Sequence, residues 1–257
     1  MKNKKWNKFD KLQGKCYNNM IGAEEDGTCW KQAFELMMEI VREERQNNSN
    51  YAPDLMQLDD ATDYEYDILG WLEDCLDEMD MQEDYQTLLF ACDTLLTEFG
   101  WPEYTGSDIK FRKAAVLKPL GREEEAVLFC EKWIAKEPEN IVAAAAGVYA
   151  YIDVKSYEKA EALVERFASD KSQCGDENDI MFTAASRLYQ AMGKKKELKQ
   201  VEKAMLAYEK KLQEQMELDF LDDDDDDEFP FWGIGDFLAD DDWLEDEFDE
   251  DEDLPFD

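Results

Sequence analysis

The chain has 257 residues, 44% of them hydrophobic, and a formal net charge of −37. There is apolar material for an ordered core, but the acidity opposes general nucleic-acid binding, which needs a basic surface, and docking on anionic membranes. The sequence contains no histidine, which removes the commonest general base, the commonest transition-metal ligand and every Ser-His or Cys-His nucleophile pair.

Four regions follow one another. Residues 1–25 are basic at the start: Lys2, Lys4, Lys5, Lys8, Lys11 and Lys15 stand against Asp10. This head is expected to be loosely ordered, with Trp6 and Phe9 available as anchors. No apolar run precedes Gly22, so no signal peptide is expected. No stretch has the eighteen or so apolar residues of a membrane span.

Residues 26–60 hold a helix from about Thr28 to Gln46. Trp30, Phe34, Met37, Met38 and Val41 recur at helical period and form one apolar stripe. The run Asn47-Asn48-Ser49-Asn50 breaks it, and Pro53 keeps the next stretch extended.

Residues 61–217 read as helix after helix. One is expected to open at Thr62, with Glu65 three residues on as a capping box, and to run through Ile68, Leu69, Leu72, Cys75, Leu76 and Met79. Another covers about Glu83 to Phe99 and ends at Gly100-Trp101-Pro102. From Ser107 to Glu217 the joints are Pro119-Leu120-Gly121, Pro138-Glu139-Asn140 and Gly193-Lys194. Alternating β-branched runs are absent, and Ala, Leu, Glu and Lys dominate. The fold class is all-α.

A shift of about 34 residues superposes parts of this region on itself. Ala126 falls on Ala160, Leu128 on Ala162, Phe129 on Leu163, Cys130 on Val164 and Trp133 on Phe167, apolar on apolar each time. Gly121, Ala126, Cys130, Trp133 and Pro138 form one unit. Lys155, Ala160, Val164 and Phe167 form the next, with Ser172 in place of Pro. Gly193, Leu198, Glu202 and Met205 form a third, displaced by four residues that the loop Ser172–Asp179 absorbs. Leu72, Leu76, Met79, Tyr85, Leu88, Cys92 and Leu95 suggest an earlier one. In these positions the chain resembles the tetratricopeptide (TPR) repeat family. The resemblance implies a TPR-like helical-hairpin solenoid that binds other proteins, in which single hairpins stack to share a core. The last helix, Lys194–Glu217, would cap it, with Leu198, Val201, Met205, Tyr208 and Leu212 facing inward.

In such an array the first helices of the hairpins line a concave face. The resemblance puts Phe111, Lys118, Val142, Tyr149, Arg187 and Gln190 there; the plainer reading makes Phe111 and Val142 core and the others solvated surface. Members of the family that grip a C-terminal carboxylate use Lys, Asn and Arg at set positions. Phe111 and Ala115 stand at such places here, so that clamp is not expected.

Residues 218–257 form an acidic tail. Residues 219–257 contain 21 Asp and Glu and no Lys or Arg, a composition expected to stay disordered. Phe220, Phe229, Phe231, Trp232, Phe237, Trp243, Phe248 and Phe256 are threaded through it. A tail that only solubilises needs no aromatics. Charges that steer, with aromatics that bury, suit a protein partner carrying a basic patch. A bare solubilising tail, or a latch on Lys194–Lys196 or on the basic head, is the alternative. The segment Asp222–Glu228 lacks the turn glycine and spacing of a calcium loop, so no metal or other cofactor is expected.

The six cysteines show no Cys-x-x-Cys and read as free thiols in a reducing cytoplasm. No phosphate-binding loop or nucleophile motif occurs, and no enzymatic activity is expected. The sequence therefore points to a scaffold or adaptor that binds a basic protein through a helical groove and an acidic tail. A second reading is a chaperone or inhibitor of a nucleic-acid-binding protein, with the tail imitating phosphate.

Overall fold

A computed structural model describes the backbone of residues 4–222 and the side-chain surroundings of residues 4–216. The helices are α1 (Trp6–Met20), α2 (Thr28–Asn47), α3 (Leu55–Asp60), α4 (Ile68–Met81), α5 (Tyr85–Glu98), α6 (Ser107–Val116), α7 (Glu123–Lys136), α8 (Ile141–Asp153), α9 (Tyr157–Phe167), α10 (Asp179–Met192) and α11 (Lys195–Asp222). No strand occurs among the described residues, so the protein is all-α over that range. The chain divides into two units, Met1–Lys211 and Leu212–Asp257. The second is described only over the end of α11. The acidic segment with Phe229, Phe231, Trp232, Phe237, Trp243 and Phe248 lies outside the described residues.

The expectation of a loosely ordered head is corrected for residues 6–20, which form α1. Trp6, Phe9 and Cys16 are buried and Leu12 is half-buried, a helical stripe interrupted by lysines. Trp6 stacks on Tyr66 with ring centroids 5.3 Å apart, and Phe9 meets Trp71 edge-on at 4.8 Å. Trp30 of α2 lies parallel to Trp71 at 6.5 Å. The head is therefore anchored mainly by aromatic area. Lys5 adds ion pairs with Glu39, at 2.8 Å, and Glu43 of α2.

The helix expected from Thr62 starts six residues later, at Ile68. Thr62 is buried and donates its hydroxyl to the Asp59 carbonyl at 2.9 Å, so it caps nothing. Asp63, Tyr64 and Asp67 adopt left-handed backbone, with φ of 54°, 57° and 44°. The buried carboxylate of Asp59 reaches forward and accepts from the backbone N–H groups of Ile68 at 2.9 Å and Leu69 at 3.2 Å. A distant acid satisfies the helix's first donors, which a spacing rule cannot find.

Helices α6 to α10 have a regular order. Ile141 follows Ser107 by 34 positions and Tyr157 follows Glu123 by 34. Asp179 follows Ile141 by 38, and the difference of four falls in the loop after α9. The matched pairs Ala126 and Ala160, and Cys130 and Val164, are all buried. Helix α8 packs against α6, α7, α9 and α10. Its sequence, Ile-Val-Ala-Ala-Ala-Ala-Gly-Val-Tyr-Ala-Tyr-Ile-Asp, explains how: a helix apolar all round is buried, and small side chains let neighbours approach. A Cβ on Gly147 would lie 2.7 Å from Ile134 Cδ1 and 3.0 Å from Leu163 Cδ1.

The joints follow from local chemistry. Asn140 accepts from the backbone N–H groups of Val142 at 3.0 Å and Ala143 at 3.2 Å, capping α8. Gly193 takes φ 69° after α10, the left-handed position glycine occupies without strain. In α11, Val201 and Ala204 are buried, Leu198, Met205, Tyr208 and Leu212 are half-buried, and Leu206 is exposed.

Candidate binding groove

Helices α6, α8 and α10 supply the walls of a cavity of about 510 Å³. Its apolar wall is built from small and aromatic groups. Ala114 and Ala115 come from α6, and Ala146 and Ala150 from α8. Phe111 and Tyr149 meet edge-on at 6.0 Å between ring centroids. Both are half-buried.

Three charged groups line the same cavity. Lys118, just past α6, pairs with Asp153 at the end of α8 at 2.6 Å. Arg187 is exposed and belongs to α10. Burial pushes the Tyr149 phenol above its ordinary pKa, and the nearby Arg187 guanidinium partly offsets this. The phenol stays protonated at neutral pH and offers a hydrogen-bond donor beside a cation.

Four of the six residues expected on the concave face are brought together here: Phe111, Lys118, Tyr149 and Arg187. Val142 is half-buried against the core, and Gln190 is exposed; neither lines the cavity. Sequence reasoning names Ala115 only as a mismatch to a carboxylate clamp, and it does not put Ala114, Ala146, Ala150, Ile152 or Asp153 in the groove. The signal was present in the spacing. Ala115 lies four residues after Phe111, and Asp153 four after Tyr149, so each shares a helix face with a chosen residue.

Among the described residues, no group of three or more His, Cys, Asp or Glu side chains is placed to hold a metal. No helix among them is long and apolar enough to cross a membrane. All six thiols are free, five of them buried and Cys174 half-buried. Comparison with protein-family models found no match, and comparisons with curated proteins and with solved structures found none either.

Proposed function

We propose that this protein is a protein-binding scaffold or adaptor. Residues 61–217 act as a TPR-like helical-hairpin solenoid, and the groove of α6, α8 and α10 holds a segment of a partner protein. The acidic tail, with Phe229, Phe231, Trp232, Phe237, Trp243 and Phe248, engages a basic patch on the same partner or on another. The single observation that supports this most is the cavity itself. It draws its walls from three successive alternate helices and combines an apolar surface with a few convergent polar groups, the composition of a binding site. The 34-residue offsets of α6 to α8 and of α7 to α9 favour a repeat. The phenol and guanidinium would serve as recognition groups, and the one carboxylate beside them, Asp153, is paired with Lys118, so no catalysis is proposed. A cytoplasmic location fits the free thiols.

The test captures partners from cell lysate on three baits: the full chain, residues 1–218, and the full chain with Ala115→Trp, which fills the groove from an exposed position. Each is run at low and at moderate salt. A partner kept by residues 1–218 and lost with Ala115→Trp supports the groove. A basic nucleic-acid-binding protein held only by the full chain, and released by salt, moves the chaperone or inhibitor reading ahead.

A further inference from the structure

The charges lining the groove limit what it accepts. All six arginines of the chain are among the described residues, and five of them are ion-paired. Arg42 and Arg45 share Glu98 at 2.9 Å and 3.3 Å. Arg112 pairs with Asp108 at 3.3 Å and with Asp77. Arg122 pairs with Glu125 at 2.8 Å, and Arg166 with Glu139 at 2.7 Å. The cations of α6 follow the same habit, since Lys110 pairs with Glu137 and Lys113 with Asp93. Lys118, the other groove cation, already has Asp153. Arg187 has no carboxylate within ion-pair distance among the described residues, in a chain with 65 acids to 28 bases.

Its neighbour is similar. The Tyr149 hydroxyl makes no hydrogen bond to another described residue, and the ring lines the same cavity. A planar guanidinium with several donors and a phenolic O–H therefore point at one volume, each with donors unused by the protein. A carboxylate is the group that both can serve together, one accepting from the fork of the guanidinium and from the hydroxyl. Beside them lie Phe111, Ile152 and the alanines, which reward apolar side chains, while the remaining charges, Lys118 and Asp153, are paired with each other.

We propose that the groove takes a peptide segment in which an Asp or Glu side chain pairs with Arg187 and Tyr149 while flanking apolar residues cover Phe111 and the alanine wall. This rests on the groove reading above and sharpens it. The groove and the acidic tail then select opposite partners: an acidic-apolar segment in the first, a basic surface on the second. A basic segment in the groove would meet an unneutralised guanidinium, a like-charge contact that opposes binding. The long-range field of a chain at −37 repels acidic peptides, so the local pairing is read at physiological salt, where the Debye length is about 8 Å.

The test is selection of a displayed random-peptide library on the full chain at physiological salt. Recovered peptides are synthesised with a fluorophore and titrated by anisotropy against wild type, Ala115→Trp and Arg187→Gln. Both variants change exposed positions, and circular dichroism checks that each is folded. The expected result is a set of peptides that lose binding with Ala115→Trp and contain Asp or Glu. These should weaken about tenfold or more with Arg187→Gln. The amide analogue of each peptide should lose as much on wild type and nothing further on Arg187→Gln, the coupling expected of a direct pair. Peptides blocked by Ala115→Trp but lacking an acid, or indifferent to Arg187→Gln, overturn this inference and leave the groove reading standing. If no recovered peptide responds to Ala115→Trp, or only basic peptides indifferent to it appear, both fall.

Discussion

Asn140 donates its side-chain amide to the Ser107 hydroxyl at 2.9 Å, joining the residue that caps α8 to the first residue of α6. Both residues are buried. The same amide also donates to Glu137 at 2.7 Å, while its oxygen caps two backbone N–H groups of α8. One side chain thus registers two of the helices that wall the groove.

Replacing Asn140 tests both halves of this role. Asn140→Ala should lower stability by about 1–3 kcal/mol, from a lost cap and unsatisfied partners. Asn140→Asp keeps the cap acceptor but sets a carboxylate against Glu137, so it should also destabilise. Urea unfolding midpoints check this. An aspartate variant as stable as wild type would show that the cap alone matters.

Glu137 gives the network a pH dependence. Burial raises its pKa, but hydrogen bonds from Lys110, Trp133 and Asn140 outweigh this and hold it below the ordinary 4.5. A depressed folded-state pKa contributes stability that is present above the unfolded value and lost as pH falls through the folded one. Glu137→Gln should therefore cost about 1.5–3 kcal/mol near neutrality, the range for charge-assisted hydrogen bonds. The gap to wild type should close as pH falls below about 4.5. Thermal melts of both proteins across that range measure it.

Trp6 carries the attachment of α1. It is 3% exposed and stacked on Tyr66, so Trp6→Ala should destabilise by about 3–5 kcal/mol. A loosely attached head would make the substitution nearly neutral. Chemical denaturation followed by far-ultraviolet circular dichroism separates the two outcomes.

The all-α class was legible in the sequence because Trp30, Phe34, Met37 and Val41 mark one face at a period no strand has. Phe111, Lys118, Tyr149 and Arg187 could be picked out because repeat position fixes a helix face, and a face is what a groove is made of. The start of α4 was not legible. Thr62 and Glu65 have capping spacing, yet Asp59, nine residues before Ile68, makes the bond. Order in the basic head was hidden for a similar reason: its lysines dominate the composition, while its fate is decided by Tyr66 and Trp71, far along the chain.

Thiol chemistry should separate Cys174 from the rest. Burial pushes Cys92 and Cys130 up to about 12 and raises Cys75 well above its usual value. Cys174 is the least buried, although burial first and then Asp179 and Glu209 raise it as well. A disulfide reagent at mildly alkaline pH should titrate one thiol in the native protein, slowly, and faster as pH rises and the thiolate fraction grows. All six should react in denaturing guanidinium. Cys174→Ser should abolish the native reaction, and several fast native thiols would contradict the packing.

Gly147 tests how tightly α8 is held. Gly147→Ala gains about 1 kcal/mol of helix propensity against an overlap with the flexible ends of Ile134 and Leu163. It should stay within about 1 kcal/mol of wild type, and Gly147→Val should lose about 1–3 kcal/mol. Equal melting temperatures for the three would mean that α7 and α9 yield freely.

The alanines of the groove have a consequence for selectivity. Ala114, Ala115, Ala146 and Ala150 have no side-chain torsions, so that wall cannot reshape itself by rotamer changes. As a binding wall it would be a fixed mould whose contour is set by helix backbones, with adaptable side chains at Phe111, Tyr149, Ile152, Lys118, Asp153 and Arg187. Under the proposed function a guest would have to match the wall as it stands; in return, no side-chain freedom would be surrendered there on docking, and closely related guests would be told apart by shape before charge is consulted.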